Sequence, residues 1–152
     1  MKIELKAIVD GFEFQTDESQ AFLNKKTGEV LFFTDEELQL AESKEDISDY
    51  AHWMQDAVKV ASTYLEEQDN YLELPTKYEF HEYHVMENFI LSLPHEAQRE
   101  ELYYMIKGKG AFSQFKRGIE RYSLTGKWYK YRDNAIFELA KQWCDANSLE
   151  YK

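Results

Sequence analysis

The chain has few of the residues that cross-link or interrupt a protein. Its single cysteine, Cys144, rules out an intramolecular disulfide and favours an intracellular location. Two prolines and six glycines favour helices over a fold built from many short strands and turns. No run approaches the roughly 20 apolar residues that span a bilayer. The N-terminal stretch carries charges where a signal peptide would be apolar, so we expect a cytoplasmic protein without membrane contact.

Composition is sufficient for a real core. Of the 152 residues, 43% are apolar and 16% are aromatic, a share that argues against wholesale disorder despite 31% charged residues. This length is typical of one domain. We therefore predict a single domain over residues 1–152, with an acidic hairpin-plus-helix half at 1–75 and a helical half with a basic face at 76–152.

Apolar spacing predicts helices and a small sheet in the first half. A stripe at helical spacing from Leu5 to Phe12 predicts a short helix, and residues 20–34 predict a β-hairpin. Thr34 and Glu37 match a capping box that opens a second helix. A longer apolar stripe then runs from Tyr50 to Leu65, with Asn70 as its cap. A short third strand is predicted at Leu72–Leu74, and residues 149–151 could add a strand at the end of the chain. The fold class is α+β, helix-rich, with a small antiparallel sheet.

The second half is predicted to be helical. Apolar stripes over 83–93, 102–106, 112–122 and 136–143 each fit one helix. Pro94 separates the first two and fits the first turn of the second. The segment Gly108-Lys109-Gly110 interrupts the chain before the third, and Thr125-Gly126 follows its end. On that third helix, the stripe of Phe112, Phe115, Ile119 and Tyr122 is expected to face inward.

Charge is strongly segregated along the chain. Residues 1–75 contain six lysines, no arginine and 18 acidic residues, a net charge of −12, whereas residues 76–152 contain 12 basic and 11 acidic residues. Residues 104–132 hold eight basic side chains and one acid, Glu120, among seven aromatic residues. The binding candidates in this basic-aromatic segment are Lys107, Lys109, Lys116, Arg117, Arg121, Lys127, Trp128, Lys130 and Arg132.

The basic residues could simply be solvated or could dock internally against the acidic half, and two functional interpretations of this segment stand beside that one. A solvent-facing basic surface could bind an anionic ligand, with single-stranded nucleic acid as the sharper hypothesis, because lysine and arginine meet phosphates while exposed tyrosine or tryptophan stacks on bases. Alternatively, the basic residues form internal or intersubunit salt bridges in a protein–protein interaction module that meets an acidic partner. In the homodimer form of that module, the apolar strand Val30–Phe33 joins a second copy.

Evidence for catalysis is weak. No nucleophile elbow or phosphate-binding lysine loop is present, and Gly108-Lys109-Gly110 departs from nucleotide-binding motifs because Ser113 stands at the third glycine position. His81, His84 and Glu87 are spaced along one helical edge, which makes a hydrolase or metal enzyme a third alternative. Cys144 reads as a buried, inert thiol. We therefore expect a non-catalytic protein without a cofactor or metal.

Several segments together resemble one known family. They are Leu23-Asn24 with Thr27–Val30, Leu74-Pro75, His81–Tyr83, Met86–Ile90, Gly108–Phe112, Phe115-Lys116, Trp128-Tyr129 with Arg132, Trp143, Asn147 and Leu149–Tyr151. The pattern is similar to the uncharacterised bacterial protein family numbered 0158, and Gly108–Phe112 is its most specific part. The resemblance implies a small, acidic, cytoplasmic bacterial protein with no assigned activity, so it transfers no functional residue.

Overall fold

A computed structural model describes residues 2–152. The chain divides into two compact units: the first runs to Thr76 and includes Ala140–Lys152, and the second is Lys77–Leu139. By sequence, the first unit has eight basic and twenty acidic side chains, whereas the second has ten basic and nine acidic ones. The segregation of charge along the sequence therefore coincides with a structural division.

The first unit contains a three-stranded sheet and its covering helices. Its elements in chain order are α1 (Leu5–Phe14), β1 (Ser19–Asn24), β2 (Val30–Thr34), α2 (Asp35–Ser43), α3 (His52–Glu66), a 3₁₀ turn (Gln68–Asn70) and β3 (Tyr71–Glu73). The strands are antiparallel in the order β2-β1-β3, so that β2 is an edge strand. A tight turn joins β1 to β2: the Gly28 N–H donates to the Asn24 carbonyl at 2.8 Å, and Gly28 adopts the positive φ of 79° that favours glycine.

Both faces of this sheet carry a core because side chains alternate along β1. Ala21 and Leu23 point to the α1 side, and Phe22 points to the α3 side. The first cluster contains Ile3, Leu5, Ile8, Ala21, Leu23, Leu74, Ala140 and Cys144. The second contains Phe22, Phe33, Ala41, Met54, Val58, Ala61 and Tyr71. The rings of Phe22 and Phe33 stack with centroids 5.2 Å apart, so aromatic packing fixes the register of the hairpin.

The capping box at the start of α2 forms as the sequence predicts. The Glu37 N–H donates to the Thr34 hydroxyl at 3.2 Å, and the Thr34 N–H donates to Glu37 Oε2 at 2.8 Å. This reciprocal pair satisfies two backbone donors at the junction between β2 and α2.

The second unit is helical. Its elements are α4 (Lys77–Phe80), α5 (Glu82–Leu91), α6 (Glu96–Met105), α7 (Ala111–Arg121) and the greater part of α8 (Thr125–Ala146), whose residues from Ala140 onward belong to the first unit. Its core consists of Met86, Phe89, Ile90, Leu93, Leu102, Ile106, Phe115, Ile119, Leu124 and Trp128. The Tyr83 hydroxyl donates to the Ile106 carbonyl at 2.8 Å and joins α5 to the end of α6.

A three-residue turn joins α7 to α8. The Leu124 N–H donates to the Ile119 carbonyl at 2.7 Å, and the Ser123 N–H donates to the Glu120 carbonyl at 3.1 Å. Together with the left-handed Ser123 (φ 56°), these bonds form a Schellman motif, in which Leu124 also packs in the same core as Ile119. The turn is therefore fixed by backbone bonding.

The α+β class, the helix-rich chain and the small antiparallel sheet are confirmed, but several local predictions are wrong. Asn70 lies in the 3₁₀ turn and does not cap α3, and α7 ends at Arg121 whereas Thr125 begins α8. Pro94 precedes α6 instead of entering its first turn. The expected terminal strand is reduced to one parallel bridge between Ile3 and Tyr151.

Candidate anion-binding site

The outer face of α7 carries exposed positive charge because apolar residues hold its other face in the core. Phe115 and Ile119 are buried, with Gly118 between them. Lys116 and Arg117 therefore project to solvent, as the helical period of 3.6 residues requires. The helical spacing of this segment predicts Arg117 and Arg121 on the side opposite the apolar stripe and Lys116 at its border, and all three residues are exposed.

Five of the basic candidates are exposed and have no partner among residues 2–152. No ion pair or side-chain hydrogen bond of this part of the chain engages Lys109, Lys116, Arg117, Lys127 or Lys130. Their charges are therefore not neutralised by carboxylates of the described chain. Unpaired cations raise the local potential and attract anions from solution. We call these five residues the free basic set.

The other three basic candidates have partners within the second unit. Lys107 Nζ lies 4.3 Å from the centroid of the Tyr103 ring. Arg121 pairs with Glu101, whose other carboxylate oxygen accepts a hydrogen bond from the Tyr122 hydroxyl.

Arg132 is the most enclosed of the basic candidates. Its Nε donates to Glu82 Oε1 at 2.7 Å, and its guanidinium lies 5.8 Å from the Phe80 ring centroid. Because its side chain is largely buried, Arg132 serves the fold more directly than an external ligand.

Trp128 does not lie on this surface, contrary to the expectation that it could stack on a ligand. Only 5% of its surface is exposed. Its ring packs edge-to-face on Phe115 and Phe89, with centroid separations of 4.9 and 5.4 Å. Because the residue fills the core of the second unit, its indole cannot reach a ligand without unfolding.

The aromatic residues that reach solvent in this segment are others. Tyr104 is 80% exposed, Tyr129 is 52% exposed and Phe112 is 49% exposed. Phe112 was expected in the buried stripe of α7, but it occupies the first turn, beyond the reach of the core. Residues 112 and 116 are four apart on the helix, so Phe112 neighbours Lys116. Proteins that bind single-stranded nucleic acid combine exposed aromatic rings with cations in this way.

Two of the clefts formed by residues 2–152 adjoin basic residues of the segment. The larger, of about 470 Å³, lies at the junction of α6 and α7 and is lined by Tyr104, Met105, Lys107, Gly108, Lys109 and Gln114. Gly110 ends this loop in the left-handed region, with φ of 71°, and no side chain of residues 2–152 caps the first turn of α7. The loop therefore presents Lys109 beside backbone N–H groups that favour negative charge.

The second cleft, of about 300 Å³, lies beside the first turns of α8. It is lined by Phe89, Ser92, Leu93, Pro94, Lys127, Lys130, Tyr131 and Asn134. Lys127, Lys130 and Asn134 follow one edge of the helix at a spacing of three and four residues. The cleft thus combines two members of the free basic set with apolar and aromatic side chains. Ser92 and Asn134 were not among the predicted site residues, because an isolated serine or asparagine gives no signal in a sequence pattern.

His81 and His84, which with Glu87 suggested a possible metal site, do not form one within residues 2–152. His84 Nδ1 lies 3.5 Å from Glu87 Oε1, and His81 adopts a left-handed conformation (φ 53°) with its ring 6.3 Å from that of Tyr78. In the part of the chain that the structure describes, no three His, Cys, Asp or Glu side chains form a group that could hold a metal ion. Cys144 is buried, and burial, followed by the charge of Asp145, raises the pKa of its thiol.

The fold and this site define a helix-rich α+β protein with an acidic unit and an exposed basic surface on a helical unit. Over residues 2–152, no helix is both long enough and apolar enough to cross a membrane. The family model of the uncharacterised protein family UPF0158 matches residues 1–152, and the chain belongs to that family. Comparison with curated proteins and with solved structures finds no significant match.

Proposed function

We propose that this protein is a non-catalytic binding or regulatory protein of the bacterial cytoplasm. It binds an anionic ligand through the basic surface of its second unit, and single-stranded nucleic acid is the ligand that fits this surface best. The observation that carries the proposal is the free basic set, Lys109, Lys116, Arg117, Lys127 and Lys130, whose side chains are exposed and unpaired within residues 2–152.

Electrostatics supports a polyanion over a small neutral ligand. A chain with a net charge of −11 repels nucleic acid over most of its surface, so a local cluster of unpaired cations stands out against its surroundings. Each phosphate that such a cluster neutralises releases a counterion, which makes binding favourable at low salt. The exposed rings of Tyr104, Phe112 and Tyr129 add stacking surfaces that double-stranded nucleic acid could not use.

The test is a fluorescence anisotropy titration with labelled single-stranded RNA and DNA at several salt concentrations. We expect log K to fall with log salt at about 0.7 per neutralised phosphate. The variant Lys116→Glu/Arg117→Glu reverses two free charges on α7 and should abolish measurable binding at moderate salt. The matched control, Lys25→Glu/Lys26→Glu, reverses two exposed lysines in the hairpin turn of the first unit and should bind like the native protein.

Two results would contradict the proposal. One is the absence of binding to either strand even at low salt. The other is an equal loss in both double variants, which would show that only the net charge of the protein matters. Equal affinity for single-stranded and double-stranded probes would remove the role assigned to the exposed rings.

A specific observation also favours a second candidate, a protein–protein module. Phe14 and Phe32 are exposed and contact each other edge-to-face, with centroids 6.3 Å apart, beside the edge strand β2. An edge strand with an apolar patch is a surface on which a second strand can add. In this alternative, β2 joins a second copy. Light scattering tests it: a concentration-dependent dimer that Phe32→Lys dissociates would support self-association, and a protein that stays monomeric at high concentration would exclude it.

A further inference from the structure

We infer that the cleft beside the first turns of α8 is a mononucleotide subsite, which takes one phosphate and the base attached to it. This inference rests on the proposed function and specifies which part of the basic surface recognises the ligand. The cleft is the one lined by Phe89, Ser92, Leu93, Pro94, Lys127, Lys130, Tyr131 and Asn134, and we call it the α8 cleft.

The cationic side of the cleft fits a phosphate. Lys127 and Lys130 are one helical turn apart, are exposed, and form no ion pair within residues 2–152. Lysine binds phosphate as a flexible point charge, and the planar fork of arginine matches phosphate and carboxylate alike. The arginines Arg121 and Arg132 are already paired with Glu101 and Glu82. The charged side chains that line this cleft are two lysines, and a phosphate is an anion that they can bind.

The remaining lining fits an aromatic ring. Pro94 and Tyr131 supply the apolar surface that the cleft exposes, with the buried Phe89 and Leu93 behind them. Tyr131 is itself held edge-to-face against Phe89 at 5.4 Å. A simple phosphate ion would leave this apolar surface in water. A nucleobase would cover it, and base–aromatic stacking contributes about 1–3 kcal/mol in single-stranded complexes.

Asn134 supplies the polar recognition that a base requires. Its side chain is exposed at the cleft and has no hydrogen-bond partner in residues 2–152, so its amide can both donate and accept. The neighbouring turn is rigid: the Ser92 hydroxyl donates to the Phe89 carbonyl at 2.6 Å, and Arg99 donates to the Leu93 carbonyl at 2.6 Å. The cleft wall is therefore preorganised, which limits the entropy lost on binding.

The size of the cleft is close to that of one nucleotide unit. A volume of about 300 Å³ lies at the lower end of the range for small-molecule pockets, about 300–1,000 Å³. A dinucleotide cofactor would extend well beyond such a cleft. The α8 cleft therefore fits one unit of a strand, with the neighbouring phosphates left to the other free cations.

The test uses uridine 5′-monophosphate as the probe, with uridine and inorganic phosphate as separate controls. Backbone amide shifts of Lys127 and Lys130, and the side-chain amide shift of Asn134, are followed by NMR on the full chain. We expect the monophosphate to saturate these shifts at a concentration at least tenfold below that needed by either control. Equal responses to inorganic phosphate would overturn the subsite, because they would show that charge alone is recognised.

Variants separate recognition in the cleft from the net charge of the protein. Asn134→Trp fills the cleft and keeps both lysines, so it should weaken monophosphate binding at least tenfold. Asn134→Ala, a smaller change at an exposed position, should weaken it about threefold and provides the test if Asn134→Trp does not fold. Lys25→Glu/Lys26→Glu, in the hairpin turn of the first unit, should leave monophosphate binding within twofold of the native protein. A cleft-filling variant that folds and binds the monophosphate normally would overturn the inference.

The outcome distinguishes this inference from the proposed function. If the strand binds and the monophosphate does not, the subsite is wrong and the proposed function stands. If the monophosphate binds at the α8 cleft and no strand binds, the subsite stands as a site for a free nucleotide and the strand-binding function is wrong. If neither binds, both are wrong.

Discussion

The indole of Trp128 packs edge-to-face on the ring of Phe115, with centroids 4.9 Å apart and planes inclined by 83°. This pair joins α7 and α8, the helices that carry four of the five free basic residues; the fifth, Lys109, lies in the loop before α7. The relative placement of the two helices therefore depends on an aromatic contact in the core. Residues that look like parts of one binding motif in sequence thus divide between a core and a surface.

Trp128→Ala is expected to destabilise the protein by about 3–5 kcal/mol, because it removes a large buried side chain and leaves a cavity. Trp128→Phe keeps an aromatic contact with Phe115 and should cost less than half as much. The measurement is the free energy of unfolding from urea titrations. The folded Trp128→Phe protein should bind nucleic acid with an affinity within twofold of that of the native protein. Loss of binding in that folded variant would show that the indole does contact the ligand.

Much of the fold could be predicted because its signals are local. The positions of α1, the hairpin, the capping box at Thr34 and the third strand follow from spacing within a few residues. Helix ends were less predictable. Ser123 and Ser148 both adopt the left-handed conformation that usually marks glycine, so the ends of α7 and α8 carry no glycine signal.

The candidate site was only partly predictable, for a different physical reason. Helical periodicity places Arg117 outside and Lys116 at the border of the apolar stripe, but it cannot show whether a cation finds a carboxylate distant in sequence. Arg132 meets Glu82 across 50 residues, and Lys116 meets no such partner within residues 2–152. A tryptophan flanked by lysine and tyrosine likewise looks the same in sequence whether its ring is buried or exposed.

Gly118→Ala is expected to destabilise the second unit because α6 and α7 approach closely there. A β-carbon at Gly118 would overlap the Leu102 side chain, which is fully buried and cannot move aside freely, and would lie 3.2 Å from Met105 Sδ. We expect a loss of about 1–3 kcal/mol, as for other overpacked cores. Thermal and urea unfolding measure it.

Gly126→Ala is the matched control for this change. Gly126 lies in the first turn of α8, and a β-carbon there would meet no atom of the described chain within 4 Å. Because alanine favours helices more than glycine does, the variant should be neutral or more stable by up to about 1 kcal/mol. Equal losses of stability in the two variants would show that the close approach of α6 and α7 does not determine the effect.

Ser123→Gly is expected to stabilise the protein by about 0.5–1 kcal/mol. The left-handed conformation at Ser123 costs a residue with a β-carbon about 1–2 kcal/mol, which the greater flexibility of unfolded glycine partly offsets. Ser113→Gly makes the same chemical change on the exposed face of α7 and should instead cost about 0.5 kcal/mol. A Ser123→Gly protein less stable than the native one would argue against the Schellman turn.

Cys144 predicts a loss of stability at alkaline pH. Burial raises the pKa of its thiol in the folded state, so as pH rises above the unfolded value of about 8.5, the unfolded chain ionises first and becomes favoured. The stability that this thiol contributes is present in full below that pH and is lost as pH rises towards the folded pKa. Between pH 7 and 9.5, the native protein should lose more stability than Cys144→Ala, measured by urea unfolding under reducing conditions. Equal losses would show that the thiol ionises alike in both states.

Glu101→Gln is expected to increase the affinity for single-stranded nucleic acid. In the native protein, the Glu101 carboxylate neutralises Arg121 and also accepts from the Tyr122 hydroxyl. Removing its charge releases a sixth cation beside the free basic set, while the amide can still accept from the tyrosine. An exposed pair of this kind is worth about 1 kcal/mol or less, so the affinity should rise up to about fivefold at low salt, with a steeper salt dependence.

Glu100→Gln separates the release of Arg121 from a change in net charge. Glu100 precedes Glu101 on α6, is exposed, and forms no ion pair in the part of the chain that the structure describes. It makes the same change in net charge without releasing a paired cation. A larger increase in affinity for Glu101→Gln than for Glu100→Gln would place Arg121 in contact with the ligand, since long-range attraction affects both variants almost equally. Identical increases in affinity would mean that Arg121 does not contact the ligand. The binding surface would then be restricted to the free basic set.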